Sequence, residues 1–239
     1  MCRRSPIRLL GVTPSTDSAG TSRRSSRRGR SDDKGVRAEK KEQTRQALLD
    51  TTVDLVDERS FGSISLREVA RGAGIVPTAF YRHFASMEDL GVTLVEDSMR
   101  VLRRALREGR RDLAGRGMPT ARESIATLLR HVHADEAKFR FLIREQHGGV
   151  AEVRRAINTE LRLFARELAI DLARVPALAE WDSDDLEVAA ELIVAVFMTT
   201  VAELLDGDGR QATERALVAR AEKQLAMVFL GMGQWRPGN

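Results

Sequence analysis

The sequence predicts an all-α protein, and three observations carry that prediction. From Ala38 onward apolar residues recur at three- and four-residue spacing, which marks helices with one buried face. Helix-start signals, Ser65 with Glu68 and Ser86 with Asp89, stand directly before two of those stretches. Strand-type alternation is nowhere sustained.

The first helix is expected from about Ala38, where Leu48, Leu49, Thr52, Val53 and Val56 form one apolar stripe, and it ends before Ser60. A second, short helix opens at Ser65. The Ser65-Leu66-Arg67-Glu68 run has the form of a capping box, in which hydroxyl and carboxylate each satisfy a free backbone N–H. Gly72 and Gly74 weaken its end, and Pro77 forbids continuation of the same hydrogen-bond ladder. Pro77 suits the first position of a third helix, expected to run to Phe84, because its missing N–H is no loss there. Two helices joined by a turn of about four residues have the proportions of a helix-turn-helix unit. Ser86 then caps a long fourth helix reaching Leu113. Beyond the Gly115–Pro119 break, helices are expected over 120–134, 136–146, 150–175, 183–205 and 209–230.

Charge divides the chain unevenly. Residues 1–41 hold 12 Lys/Arg against 4 Asp/Glu, whereas the remainder holds 27 against 31. A basic arm on a mildly acidic body suits a polyanion, either nucleic acid or an anionic membrane surface. Residues 1–36, rich in Ser, Arg and Gly, show no periodicity and are expected to be a disordered leader. That leader is either an extension without a role or an arm adding phosphate contacts. It lacks the apolar stretch of a secretory signal, and the run Leu192 to Val201, between Glu191 and Glu203, is too short to span a bilayer. The one cysteine, Cys2, excludes an internal disulfide and a cysteine-built zinc site. A soluble protein of the reducing cytoplasm is therefore expected, with no membrane partner.

In a helix-turn-helix the second helix enters the major groove and offers its N-terminal side chains to base edges. Here those are Pro77, Thr78, Ala79, Tyr81, Arg82 and His83. Phe80 and Phe84, four apart, share the opposite face and should pack on Leu66, Val69 and Ala70. Lys41, Thr44 and Arg45 on the first helix, with Ser65 and Arg67 at the second, are the natural phosphate contacts. The competing reading makes the third helix an ordinary amphipathic core element with solvated Tyr and Arg. Helices 183–205 and 209–230 carry apolar residues on more than one face, and homodimerisation through this pair, rather than burial within one chain, is the favoured explanation. Three domains result: leader 1–36, helix-turn-helix domain 37–85, and a C-terminal helical domain 86–232.

The stretch F-G-S-I-S-L-R-E-V-A-R-G-A-G-I-V-P-T-A-F-Y-R-H-F, Phe61 to Phe84, resembles the DNA-binding domain of TetR-type regulators. The wording from Gly35 (G-V-R-A), G-I-V-P-T-A-F-Y-R-H-F, M-E-D-L-G-V-T-L-V from Met87 and F-x-F-L-I-R-E-Q-H-G-G from Phe139 is similar to the FabR/DesT-like repressors of fatty-acid synthesis and desaturation. The basic leader, Gln146-His147 and Val76 depart from that pattern. The resemblance implies a repressor that binds a palindromic double-stranded operator as a dimer and senses long-chain acyl-CoA or a similar apolar ligand. Its C-terminal domain would bind the ligand through Phe139, Leu142, Ile143, Phe164, Leu168, Ile193 and Phe197, with Arg144 or His147 at an anionic head. The helix from Ser86 would act as the lever between the domains.

Three alternatives remain beside it: a TetR-type repressor of a drug or other metabolite, a membrane-surface protein resting on the basic leader, and an enzyme. No nucleophile elbow, phosphate loop or dinucleotide fingerprint supports catalysis. His131 and His133, two apart on a helix, should point to different sides, which argues against a metal centre. No cofactor is expected.

Overall fold

The computed structural model describes residues 25–116, 120–207 and 211–235. Among these every regular element is helical: α1 (Ser25–Glu58), α2 (Leu66–Gly72), α3 (Pro77–Phe80), α4 (Met87–Arg116), α5 (Ala121–Ala134), α6 (Glu136–Glu145), α7 (Ala151–Leu172), α8 (Ser183–Asp206) and α9 (Gln211–Gln234), with single 3-10 turns at Phe61–Ser63 and Pro176–Leu178. Two units are distinguished, Met1–Gln43 and Thr44–Asn239.

The first departure from expectation is the start of α1. The helix begins at Ser25, inside the stretch 1–36 expected to be unstructured; residues 1–24 lie outside the described part. No proline stands between Pro14 and Pro77, and the Arg, Lys, Glu and Ala around 37–47 are good helix formers. A helix needs no apolar stripe to propagate once it has a nucleus, so periodicity found only its packed half. In the larger unit that half buries Leu48, Leu49 and Val56. Thr52, also buried, satisfies its hydroxyl on the Leu48 carbonyl at 2.7 Å.

The caps behave as the sequence implies. Ser65 Oγ accepts from Glu68 N at 3.3 Å while Glu68 Oε2 accepts from Ser65 N at 2.9 Å, closing the capping box of α2. Thr120 and Glu123 repeat it at α5. Asp89 N donates to Ser86 Oγ at 3.2 Å, and Asp89 Oδ2 accepts from Ala85 N at 2.8 Å, at the start of α4. α7 stops at Leu172, three residues before its expected end. Val175, disfavoured from helical geometry by Pro176, is extended at φ −78° and ψ 120°.

α4 through α9 enclose one continuous apolar core with the first three helices of the larger unit. In it α8 packs against α7 and α9, and α4 against α7 and α5. The 24 residues of α8 correct one expectation. The helix is far longer than the run 192–201, has a mean hydropathy of 2.0 over its most apolar window, and is long and apolar enough to cross a membrane by length and composition. Here it is a core helix on one side, with Ile193, Val194 and Val201 buried. Val188 and Leu192 on its other side, like Met227 and Leu230 of α9, are exposed. The excess apolar character read from this pair is thus divided: Ile193, Val201 and Leu205 belong to the core of the chain, and the four exposed residues do not.

Candidate nucleic-acid interface

The turn between α2 and α3 is built by its backbone. Ile75 N donates to the Ala70 carbonyl at 2.9 Å and Gly74 N to the Arg71 carbonyl at 3.1 Å. This bond pair is a Schellman motif, which requires a left-handed residue after the cap. Gly74, at φ +69°, supplies it without the steric cost a side chain would bring. Val76 then stays extended, and Pro77 opens α3 at its first position.

α3 itself is one turn, Pro77–Phe80, not the helix to Phe84 that the spacing suggests. The chain continues through tighter i to i+3 bonds, Arg82 N to Ala79 O at 3.1 Å and His83 N to Phe80 O at 2.8 Å, before Phe84 N returns to Phe80 O at 3.1 Å. Such tightening is common at helix ends. It keeps Phe80 and Phe84 on one side, their ring centroids 5.8 Å apart, and both are buried in the cluster that includes Val69, with Leu66 packed against it.

Burying those two rings turns the other side of the turn outward. Thr78 and Arg82 are exposed, and Tyr81 is 63% exposed with its ring edge-on to Phe80 at 5.7 Å. Ala79 and His83 are half-buried, so less of each is offered outward than the spacing implies. Pro77 is exposed beside them. Among the residues expected at phosphates, Arg67 is exposed on α2, and Ser65, also exposed, has both its N–H and hydroxyl engaged by Glu68. Thr44 and Arg45 on α1 are half-buried, and the Arg45 guanidinium sits 5.1 Å from the centre of the Phe84 ring, a cation–π contact tying α1 to this core. Lys41 is exposed on α1 within the first unit.

Glu68 locks the base of the unit. Besides the cap it accepts from Arg59 Nη2 at 2.7 Å. The Arg59 hydrogen bond, followed by those from Ser65, lowers its carboxyl pKa to about 2. A carboxylate with a depressed folded pKa adds stability that is present above its ordinary range and lost as pH falls toward the folded value. NMR titration of the Glu68 carboxyl is expected to show a midpoint near 2, and Arg59→Met to move it back toward 4.5. A wild-type midpoint at 4.5 would mean that the Arg59 bond does not persist in solution.

The residues nominated for a ligand lie elsewhere and play several parts. Phe139, Leu142, Phe164 and Ile193 are buried within the continuous core, and Ile143, Leu168 and Phe197 pack against it half-buried. His147 is exposed. Arg144 does not face that core: Nη1 donates to the Val56 carbonyl at 2.8 Å and Nη2 to the Asp57 carbonyl at 3.4 Å, at the C-terminal end of α1. A groove of about 400 Å³ opens instead between α5 and α9, lined by Arg122, Glu214, Arg215, Val218, Ala219 and Glu222, none of them nominated. His131 meets Glu108 of α4 at 3.2 Å and His133 meets Glu214 of α9 at 3.3 Å, so the two diverge to different helices.

α4 is tied to the body at several points. Arg103 reaches Glu160 at 2.6 Å and Glu167 at 3.1 Å on α7, and Glu108 takes Arg130 of α5 at 3.0 Å as well as His131.

A capped helix, a glycine turn and a second helix with an outward polar face, joined through a long helix to an all-helical body, define a helix-turn-helix DNA-binding protein. Residues 48–91 match the profile of bacterial regulatory proteins of the TetR family, and residues 120–231 that of a tetracyclin repressor-like C-terminal domain. The chain belongs to the TetR family of transcriptional regulators, whose members bind DNA and dimerise. Solved structures share the fold at low identity. The FadR fatty-acid degradation regulator of Bacillus halodurans is 16% identical, with a TM-score of 0.57 over 76% of this chain and 93% of its own. FadR of Bacillus subtilis, in complex with stearoyl-CoA, is 18% identical with a TM-score of 0.57, covering 77% and 96%. A TetR/AcrR-type transcriptional regulator of Aquifex aeolicus is 15% identical with a TM-score of 0.59, covering 78% and 99%.

Proposed function

We propose that this protein is a cytoplasmic, dimeric repressor that reads a palindromic operator with Thr78, Tyr81 and Arg82, and whose grip on DNA responds to a long-chain acyl-CoA. The observation carrying the DNA half is the outward set Thr78, Tyr81 and Arg82 held over the buried Phe80 and Phe84. Thr78 offers a hydroxyl and a methyl to a base edge, Arg82 a guanidinium to guanine or phosphate, and Tyr81 a hydroxyl to a phosphate. Lys41, Thr44, Arg45, Ser65 and Arg67 would line the flanking backbone, and Ala79 and His83 the edge of the contact. Two copies pair through the exposed Val188 and Leu192 of α8 and Met227 and Leu230 of α9, since exposed apolar surface of this kind marks an interface.

The ligand half rests on the resemblance to repressors of fatty-acid synthesis and desaturation, and on the half-buried apolar side chains Ile143, Leu168 and Phe197 packed against the core. An acyl chain would enter there and part Phe139, Leu142, Phe164 and Ile193, with its anionic head toward His147. That the stearoyl-CoA-bound FadR of Bacillus subtilis shares the fold supports the class of ligand. A ligand acts only through its different affinity for two arrangements of the dimer, and a tilt of α4 would alter the separation of two recognition elements that must match grooves roughly 34–36 Å apart.

The test combines thermal shift with operator binding. Palmitoyl-CoA or oleoyl-CoA at about 100 times its dissociation constant should stabilise the protein by about 2.7 kcal/mol and change its affinity for an operator selected from genomic fragments. Stabilisation by a panel of cationic drugs and none by either thioester would overturn the acyl-CoA reading.

A further inference from the structure

Phe61, in the 3-10 turn between α1 and α2, is the point at which the helix-turn-helix unit is seated on the body. Its buried ring meets Phe141 of α6 edge-on at 6.1 Å. α4 passes so close that a Cβ on Gly91 would fall 2.7 Å from Phe61 Cζ and 2.6 Å from Val153 Cγ2 of α7. The backbone of Phe61 is held too: its N–H donates at 2.8 Å to Glu145 Oε1, at the last residue of α6, 84 positions along the chain. Two further residues of α6 reach the same place. Arg144 donates to the carbonyls of Val56 and Asp57, and Arg140 pairs with the Asp57 carboxylate at 2.7 Å.

Glu145 differs from Phe61 and Phe141 in carrying a carboxyl group into the interior, where it is 1% exposed. A buried carboxylate is costly unless its bonds repay desolvation. Here one oxygen serves the Phe61 amide, and the other has no hydrogen-bond partner among the described residues. Gly148 makes room for it. A Cβ there would lie 2.1 Å from Glu145 Oε2 and 3.1 Å from its Cα. The R-E-Q-H-G segment, which the sequence suggested as part of a ligand site, is the place where α6 holds the reader.

We propose that Glu145 is a positioning residue for DNA binding: by gripping the Phe61 amide from the end of α6, it sets the angle of the helix-turn-helix unit on the body. α6 is then a second route, beside α4, by which a change in the body reaches the reader. This rests on the DNA-binding reading above, and it concerns residues that touch no DNA. Loss of the grip leaves the reader folded but spread over more angles, and the fraction competent for operator falls accordingly.

The test uses the full chain with Cys2 replaced by Ser and spin labels at Arg71→Cys on α2 and Arg155→Cys on α7, both exposed positions. Glu145→Ala is expected to broaden the distance distribution between the labels and to speed hydrogen exchange of the Phe61 amide about tenfold, the loss of one hydrogen bond, while the Val69 amide inside α2 stays protected. Glu145→Gln, which keeps an acceptor oxygen, should restore the narrow distribution. Gly148→Ala, which displaces the carboxylate from the other side, should reproduce the broad one and serves where Glu145→Ala fails to fold. On operator DNA the affinity should fall about tenfold for Glu145→Ala and return with Glu145→Gln. A distribution as narrow as wild type in both Glu145→Ala and Gly148→Ala overturns the proposal, as does equal loss of protection at Phe61 and Val69. Wild-type protein that ignores every duplex would overturn the DNA-binding reading instead, and the label distances would still decide the role of Glu145.

Discussion

Thr78→Ala and Tyr81→Ala are each expected to abolish retardation of operator DNA in a gel-shift titration without lowering the melting temperature. The side chains lie outside the core, and Tyr81 contributes only one ring edge to Phe80. Each lost base or phosphate contact is worth about 1–3 kcal/mol, and in a two-fold dimer it is lost twice, so affinity falls by up to several orders of magnitude. Arg67→Ala on α2 should act differently, weakening binding about equally on all sequences and reducing its salt dependence, as loss of a phosphate contact does. If both Thr78→Ala and Tyr81→Ala retard operator as wild type does, the outward side of α3 is not the reading surface.

Phe80→Ala should have the largest effect on stability within the reader. Its ring is fully buried among Phe84, Tyr81 and the α2 core, and truncating a buried Phe costs about 3–5 kcal/mol through lost transfer energy and the cavity left behind. A small unit cannot absorb that loss, so α2 and α3 should unfold ahead of the body. Proteolysis would cut between 61 and 84 first, and denaturant unfolding followed by circular dichroism would gain an early step. A single transition at the wild-type midpoint would mean that Phe80 does not anchor the turn. Taken with the surface substitutions, this separates two consequences of one alternation: 78, 81 and 82 change recognition at constant stability, and 80 and 84 change stability.

What could be read from the residues was whatever neighbours in sequence decide. The caps at Ser65 and Ser86 need residues three apart, the α2–α3 turn needs a glycine with positive φ and a proline at the next helix start, and the core face of α1 needs only its own spacing. The start of α1 at Ser25 escaped because a solvated helical stretch leaves no periodic mark, and the end of α3 at Phe80 escaped because the tighter bonds that follow use the same residues at the same spacing.

The body was legible as helices but not as an arrangement of them. Apolar residues of α6, α7 and α8 read equally well as pocket wall and as core, because both are apolar faces at helical spacing. Packing buries Phe139, Leu142 and Ile193, leaves Leu192 and Met227 exposed, and turns Arg144 onto the end of α1. The sequence alone determined the helix-turn-helix unit, the caps at Ser65 and Ser86 and the outward Thr78, Tyr81 and Arg82, because those depend on local hydrogen bonds and on helical spacing. The tertiary structure alone decided that Glu145 meets Phe61, that Arg103 joins Glu160 and Glu167, and which side of α8 is left open. Those pairings join residues tens of positions apart, and no local propensity encodes which distant partner a buried or charged side chain will find.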